Sequence, residues 1–173
     1  PAFDAEAVLH AVESEGCTSL YGVPTMFIDL LESPALATTD VSSLRTGIMA
    51  GAPCPVEVMR RVTTDLHSPQ MTICYGMTET SPVSTQTLPG DDLEHRVATV
   101  GAVHPHVEVK IVDEAGALVP VGEQGELLTR GYSVMKGYWD EPGQSANAID
   151  GEGWIHTGDL ARIDAEGYAR ITG

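Results

Sequence analysis

"MTICYGMTET", residues 71–80, joins a short apolar run to an aromatic ring, a glycine, two hydroxyls and a carboxylate. Residues 71–74 read as a brief buried strand, and the residues after them carry chemistry that a plain turn does not need. In an open parallel α/β sheet, ligands bind beyond the carboxyl ends of the strands. Whether this loop is a site therefore depends on whether its strand is parallel to its neighbours.

The residues upstream point to a parallel sheet. Residues 4–15 (DAEAVLHAVESE) are rich in helix formers, with Val8, Leu9 and Val12 on one face, and Gly16 ends them. CTSLYGV follows as a strand. Pro24 opens a helix with Met26, Phe27, Leu30 and Leu31 at helical spacing, and Pro34 stops it. The order then repeats: LRTGIMAG as strand, Pro55 opening a helix with Val58, Val62 and Leu66 at i, i+4 and i+8, and MTIC as the third strand. Strand, helix and strand at this spacing predict βαβ units.

From Val97 onward the pattern changes to short strands between turn signals. VEVKIVD, GELLTR and GYSVMKGYW read as strands, and GWIHTGDLARID pairs with GYARITG around Ala165-Glu166-Gly167. The fold class expected is thus α/β, a parallel-sheet βαβ half followed by a small antiparallel β-barrel-like half. The division is placed in the polar run at residues 88–96, giving subdomains 1–90 and 91–173. Trp139 and Trp154 are read as barrel core.

Composition narrows the partners. The chain has 173 residues, 9 basic and 25 acidic, for a formal charge of −16. Such a surface argues against nucleic acid and anionic membranes. It also repels polyphosphate, so a bound nucleotide needs Mg²⁺ or cations from elsewhere. No apolar stretch is long enough to span a bilayer. The start, PAFDAEAVLH, lacks the basic and apolar regions of a secretory signal. With no initiator Met, the chain reads as beginning within a longer protein. Cys17, Cys54 and Cys74 are odd in number and widely spaced, which favours free thiols and a cytoplasmic location. The pair His104 and His106, separated by Pro105, reads as a surface turn rather than a metal site.

Within the loop, Tyr75 offers a flat face to a planar base. Gly76 lets a ligand approach the backbone. Thr78 and Thr80 can donate to phosphate oxygens, and Glu79 is a hard oxygen ligand suited to Mg²⁺. Gly51-Ala52-Pro53 also lies between a strand and a helix. Asp159, in GWIHTGDLA, can accept ribose hydroxyls. Each of these is equally a plain connection: a threonine-rich loop, a β-to-α turn, an aspartate in a hairpin.

Taken together, GAP at 51–53, YGMTET at 75–80, GELLTRGYSVMKGYW at 125–139 and GWIHTGDLA at 153–161 resemble, in order and spacing, the adenylate-forming superfamily. That group comprises acyl-CoA synthetases, nonribosomal peptide adenylation domains and beetle luciferases. The resemblance implies that Gly51, Ala52 and Pro53 border adenine and that Tyr75 stacks on it, with Gly76 and Met77 in the same nucleotide-binding loop. It implies that Thr78 binds the α-phosphate and Glu79 holds Mg²⁺, the two acting as catalytic residues, and that Asp159 takes the ribose. Cys74, Gly76 and Gly101 would lie near the acyl chain.

Peptide adenylation domains usually carry proline where this chain has Met77, so an acyl-CoA ligase, with a fatty or aryl acid as substrate, is the branch implied. Its substrates and cofactors would be ATP (leaving AMP), Mg²⁺ and coenzyme A. The family's lysine-bearing phosphate loop, hinge and catalytic lysine do not occur here. The chain is therefore expected to be a middle segment, inactive alone. A non-catalytic AMP-binding module and a ligand-free structural fragment stay open as alternatives.

Overall fold

Asp4 starts the first helix. In the computed structural model, which describes residues 2–173, its carboxylate accepts the Ala7 N–H at 3.1 Å, supplying one of the acceptors that a helix N-terminus lacks. Helix α1 (Ala5–Glu15) ends at Gly16, which adopts the left-handed conformation with φ 60°. Strand β1 (Ser19–Gly22) and helix α2 (Pro24–Glu32) follow, with Pro24 in the first turn. Then come β2 (Thr46–Met49), α3 (Val56–Asp65) and β3 (Gln70–Tyr75).

The three strands are parallel and in sequence order. Ser19 pairs with Thr46, Thr46 with Gln70, and Met49 with Ile73. This is the βαβ half that the helix and strand spacing predicts. Leu9, Val12, Phe27, Leu30, Met59, Val62 and Met71 are buried in it, so the apolar stripes of all three helices are used.

Packing divides the chain into two compact units, residues 1–73 with 88–97 and residues 74–87 with 98–173. The polar run at 88–96, read above as a boundary, contains helix α4 (Leu93–Ala98). Asp92 caps it by accepting the His95 N–H at 2.8 Å. Arg96 ties the segment to the first unit by donating to the carbonyls of Asp91 (2.9 Å) and Pro69 (2.8 Å). A short polar helix like this draws its stability from such tertiary bonds, which no local pattern encodes.

The second unit begins at the end of β3. Cys74 and Tyr75 pair antiparallel with β4 (Thr85–Gln86), which pairs with β5 (Ala102–Val103). An antiparallel meander follows: β6 (Val107–Val112), β7 (Gly125–Gly131), β8 (Ile155–Ile163) and β9 (Ala169–Ile171). Ile111, Leu127 and Ala161 form its core on one face, joined by Tyr75, Val119, Ile163 and Ile171. Val112, Leu128 and Trp154 cluster separately, with the Lys110 ammonium and the Arg130 guanidinium each over the Trp154 ring at 4.3 and 4.4 Å.

Two expectations fail here. GYSVMKGYW is not a strand. β7 stops at Gly131, and positive φ at Gly131 (149°), Gly137 (142°) and Asp140 (55°) breaks any extended run before helix α5 (Pro142–Ala148). Trp154 is buried as core (7% exposed), but Trp139 stands 96% exposed.

Leu127 is wholly buried at the centre of the meander. Leu127→Ala is expected to destabilise the second unit by about 2–5 kcal/mol, read as a lower urea midpoint at constant slope.

Candidate functional site

The register of β7 and β8 slips at one place. Leu128 pairs with His156 and Glu126 with Leu160, so Leu127 alone faces Thr157, Gly158 and Asp159. A bulge of this kind leaves backbone groups unpaired and re-aims side chains. Here the motif's own residues satisfy them. The Thr157 hydroxyl donates to the Leu127 carbonyl at 2.6 Å, and the Asp159 N–H donates to Thr157 Oγ1 at 3.1 Å. Gly158, at φ 76°, supplies the left-handed residue, and its N–H donates to Glu126 Oε1 at 3.2 Å. Thr-Gly-Asp is therefore a bulge within a strand and not the hairpin turn that the sequence allows as its plain reading.

Within the bulge, Asp159 meets the end of β3. The Tyr75 hydroxyl donates to Asp159 Oδ2 at 2.5 Å, across 84 residues of chain. The ring packs on the Ile111, Leu127 and Ala161 cluster. Burial, and then the hydrogen bond to the Asp159 carboxylate, push the Tyr75 phenol well above its ordinary range. Asp159 is half-buried, so part of its carboxylate remains open to a ligand.

Beyond Tyr75 the chain makes a tight loop. Residues Thr78–Thr80 form a single 3₁₀ turn whose anchor is Thr80, wholly buried. Thr80 Oγ1 accepts the Met77 N–H at 3.1 Å, and its hydroxyl faces the carbonyls of Met77 (3.0 Å) and Pro82 (3.2 Å). Thr80 thus binds the loop itself and not a phosphate, contrary to the expectation for its hydroxyl. Gly76 is required for the same reason. A Cβ there would lie 1.7 Å from the Pro82 carbonyl oxygen, so that side of the glycine is filled by backbone. Thr78 is left exposed and Glu79 half-buried.

Glu79 is held from a segment in which the sequence offered no candidate site residue. Its carbonyl accepts the Met135 N–H at 2.8 Å, and its Oε1 accepts the Tyr138 hydroxyl at 2.9 Å. That bond also raises the Tyr138 phenol above its usual value. The only sequence sign of Tyr138 is its place in GYSVMKGYW, whose aromatics are easily taken for strand residues.

The remaining site residues stand apart from these bonds. Gly51, Ala52 and Pro53 belong to the first unit, where they leave the carboxyl end of β2 and are exposed, with Gly51 at φ 86°. In the same loop Cys54 is buried, and burial lifts its thiol to about 11. Cys74 is half-buried, its thiol also raised by burial, and all three cysteines are free. Gly101, at φ 83°, is pressed against β4: a Cβ would lie 1.8 Å from the Gln86 carbonyl carbon. Like Gly76, it yields its volume to the chain's own backbone. His104 and His106 flank a turn, and among the described residues no group of three His, Cys, Asp or Glu could hold a metal ion.

A family model described as "AMP-binding enzyme" matches residues 1–139. The chain belongs to that family. Among curated relatives it is 54% identical over 173 residues to the putative acyl-CoA synthetase YngI of Bacillus subtilis, covering 99% of this chain and 31% of that protein. It is 48% identical to the acyl-CoA ligase sidI of Aspergillus fumigatus, covering 99% of this chain and 30% of the relative. To the mitochondrial medium-chain acyl-CoA ligase ACSF2 of Danio rerio it is 46% identical, over 99% of this chain and 28% of that one. The chain therefore spans under a third of these relatives' length. Among solved structures, the amide bond synthetase McbA of Marinactinospora thermotolerans superposes with TM-score 0.89 at 34% identity, over 99% of this chain and 34% of the other.

Two measurements check this geometry. Thr80→Val deprives the Met77 N–H of its partner and is expected to cost about 1–3 kcal/mol, seen in urea unfolding. The raised Tyr75 phenol also sets a pH dependence. Because its folded pKa lies above the unfolded one near 10, its stabilisation is complete below about pH 10 and is lost as pH rises beyond. Alkaline titration at 295 nm should show the same absorbance gain up to pH ~10.5 in wild type and Tyr75→Phe; a smaller gain in the variant would contradict the burial.

Proposed function

We propose that this AMP-binding chain is the nucleotide-holding segment of an ATP-dependent acyl-CoA ligase, which activates a carboxylic acid, in our reading a fatty acid, as acyl-AMP and passes the acyl group to coenzyme A. One observation carries the reading: the Tyr75 hydroxyl meets the Asp159 carboxylate at 2.5 Å. An aromatic face for a base and an acceptor for a sugar diol thereby lie side by side, although 84 residues separate them.

The residues take these roles. The Tyr75 ring stacks on adenine, with Gly76 and Met77 beside it. Asp159 accepts the ribose hydroxyls. The exposed Thr78 hydroxyl donates to the α-phosphate. Glu79 fits a Mg²⁺ ion, because Mg²⁺ commonly takes one or two carboxylates alongside substrate phosphates and needs no dedicated protein cage. When bound, that ion would neutralise the charge that builds on the phosphates as the carboxylate attacks. The rigid Thr80 turn keeps Thr78 and Glu79 at fixed positions, so little reorganisation is needed. Cys74 and Gly101 sit toward the acyl side.

The acyl-CoA ligase names of the relatives support this branch. The paucity of lysines supports a division of labour: with Lys110 and Lys136 alone, the triphosphate must be met by residues outside these 173. We place the protein in the cytoplasm on its three free cysteines; among the described residues no helix is long and apolar enough to cross a membrane.

In the full-length protein, Asp159→Asn is expected to raise the KM for ATP about tenfold or more, and Glu79→Gln to lower kcat by about 10²–10³, in acid-dependent ATP–pyrophosphate exchange. Unchanged kinetics in both would sink the reading. The 173-residue chain alone should release no pyrophosphate.

A further inference from the structure

The stacking role leaves the Tyr75 hydroxyl without a task, yet that hydroxyl makes a side-chain bond across 84 residues of chain. We infer that Tyr75 is also the positioning residue of Asp159. Its ring holds the base while its phenol tip orients the carboxylate toward the sugar, so that adenine and ribose are recognised as one coupled element. The inference rests on the ribose reading of Asp159.

Three features of the site lead there. First, the Asp159 carboxylate makes no ion pair among the described residues. Its side-chain partner is the Tyr75 hydroxyl on Oδ2, while its N–H is fixed to Thr157 Oγ1. A carboxylate on this three-residue bulge has free χ angles, and one bond to a rigid donor removes that freedom. Second, the donor is rigid. Tyr75 ends β3 in register with Thr85, and its ring is packed on Ile111, Leu127 and Ala161. Third, the bond uses Oδ2 alone, which leaves Oδ1 and the second lone pair of Oδ2 for the two hydroxyls of a ribose. A free aspartate would lose rotamer entropy on binding the diol; this one has already lost it.

The consequence is selectivity for a ribonucleotide that depends on a group that need not touch the sugar. The test is calorimetric titration of the full-length protein with AMP and with 2′,3′-dideoxy-AMP. Tyr75→Phe, which keeps the ring, should weaken AMP about five- to tenfold and leave the dideoxy nucleotide within twofold of wild type. In an Asp159→Asn background the same change should have no further effect on AMP. 4-Aminophenylalanine at position 75, which restores a donor, should recover AMP affinity; it also provides the comparison should the Phe variant fold poorly. An equal loss for both nucleotides would assign the hydroxyl to packing alone. An unchanged AMP affinity in Tyr75→Phe, or no recovery with the amino analogue, would overturn the inference. If Asp159→Asn itself binds AMP like wild type, the ribose reading fails first, and this inference with it.

Discussion

The structure of the candidate site depends on one irregularity, the three residues of β8 that stand opposite Leu127. Regular antiparallel pairing would send alternate side chains to opposite faces and place Asp159 by parity alone. The bulge adds two residues, so the alternation of faces continues through it, with Asp159 on the face of Ile155 and Ala161, while Thr157, Gly158 and Asp159 are lifted out of the ladder with β7. It succeeds because Thr157 replaces a missing ladder donor, Gly158 tolerates a positive φ, and Glu126 accepts an N–H that would otherwise be unpaired. Each residue of the motif thus has a backbone reason to be what it is, before any ligand is considered.

The opposite side of the site is built on the same economy. Thr80 spends its hydroxyl on the loop's own amide and carbonyls, and Gly76 yields its side-chain volume to the Pro82 carbonyl. These internal bonds leave Thr78 and Glu79 as the outward-facing groups of the loop. Glu79 is then steadied by Met135 and Tyr138, from a stretch with no regular structure. Both carboxylates of the proposed site, Glu79 and Asp159, accept a tyrosine hydroxyl. A phenol is a neutral donor: it orients a carboxylate without neutralising it, which an arginine would do. In a chain this acidic, that choice keeps both groups able to take a cation or a diol.

Much of this was legible in the sequence. The βαβ half followed from helix stripes at Leu9 and Val12, Phe27 and Leu30, and Val62 and Leu66, since an apolar period near 3.6 residues gathers those side chains on one face of a helix and scatters them in a strand. Tyr75, Glu79 and Asp159 stood out as candidates because ring, carboxylate and hydroxyls crowd into short motifs that resemble a known family; the ligands they would hold are proposals. The errors share a cause. GYSVMKGYW reads as strand because an aromatic-rich run bounded by glycines has strand composition, and the positive φ of Gly137 and Asp140 that breaks it is not visible in composition. Thr80 was read as a ligand donor because a hydroxyl's partner is a tertiary fact.

The sequence by itself determined the helix boundaries at Asp4, Gly16 and Pro24, the parallel order of the first three strands and the residue types gathered in the two loops. These follow from local dihedral preferences and short periodicities. Only the tertiary structure decided that Tyr75 and Asp159 meet, that residues 74–87 pack with the β-rich unit, and that Glu79 rests on Tyr138. Those contacts join residues tens of positions apart, and the bulge that permits the first depends on the pairing register of β7 and β8, a property of two strands together that neither one carries alone.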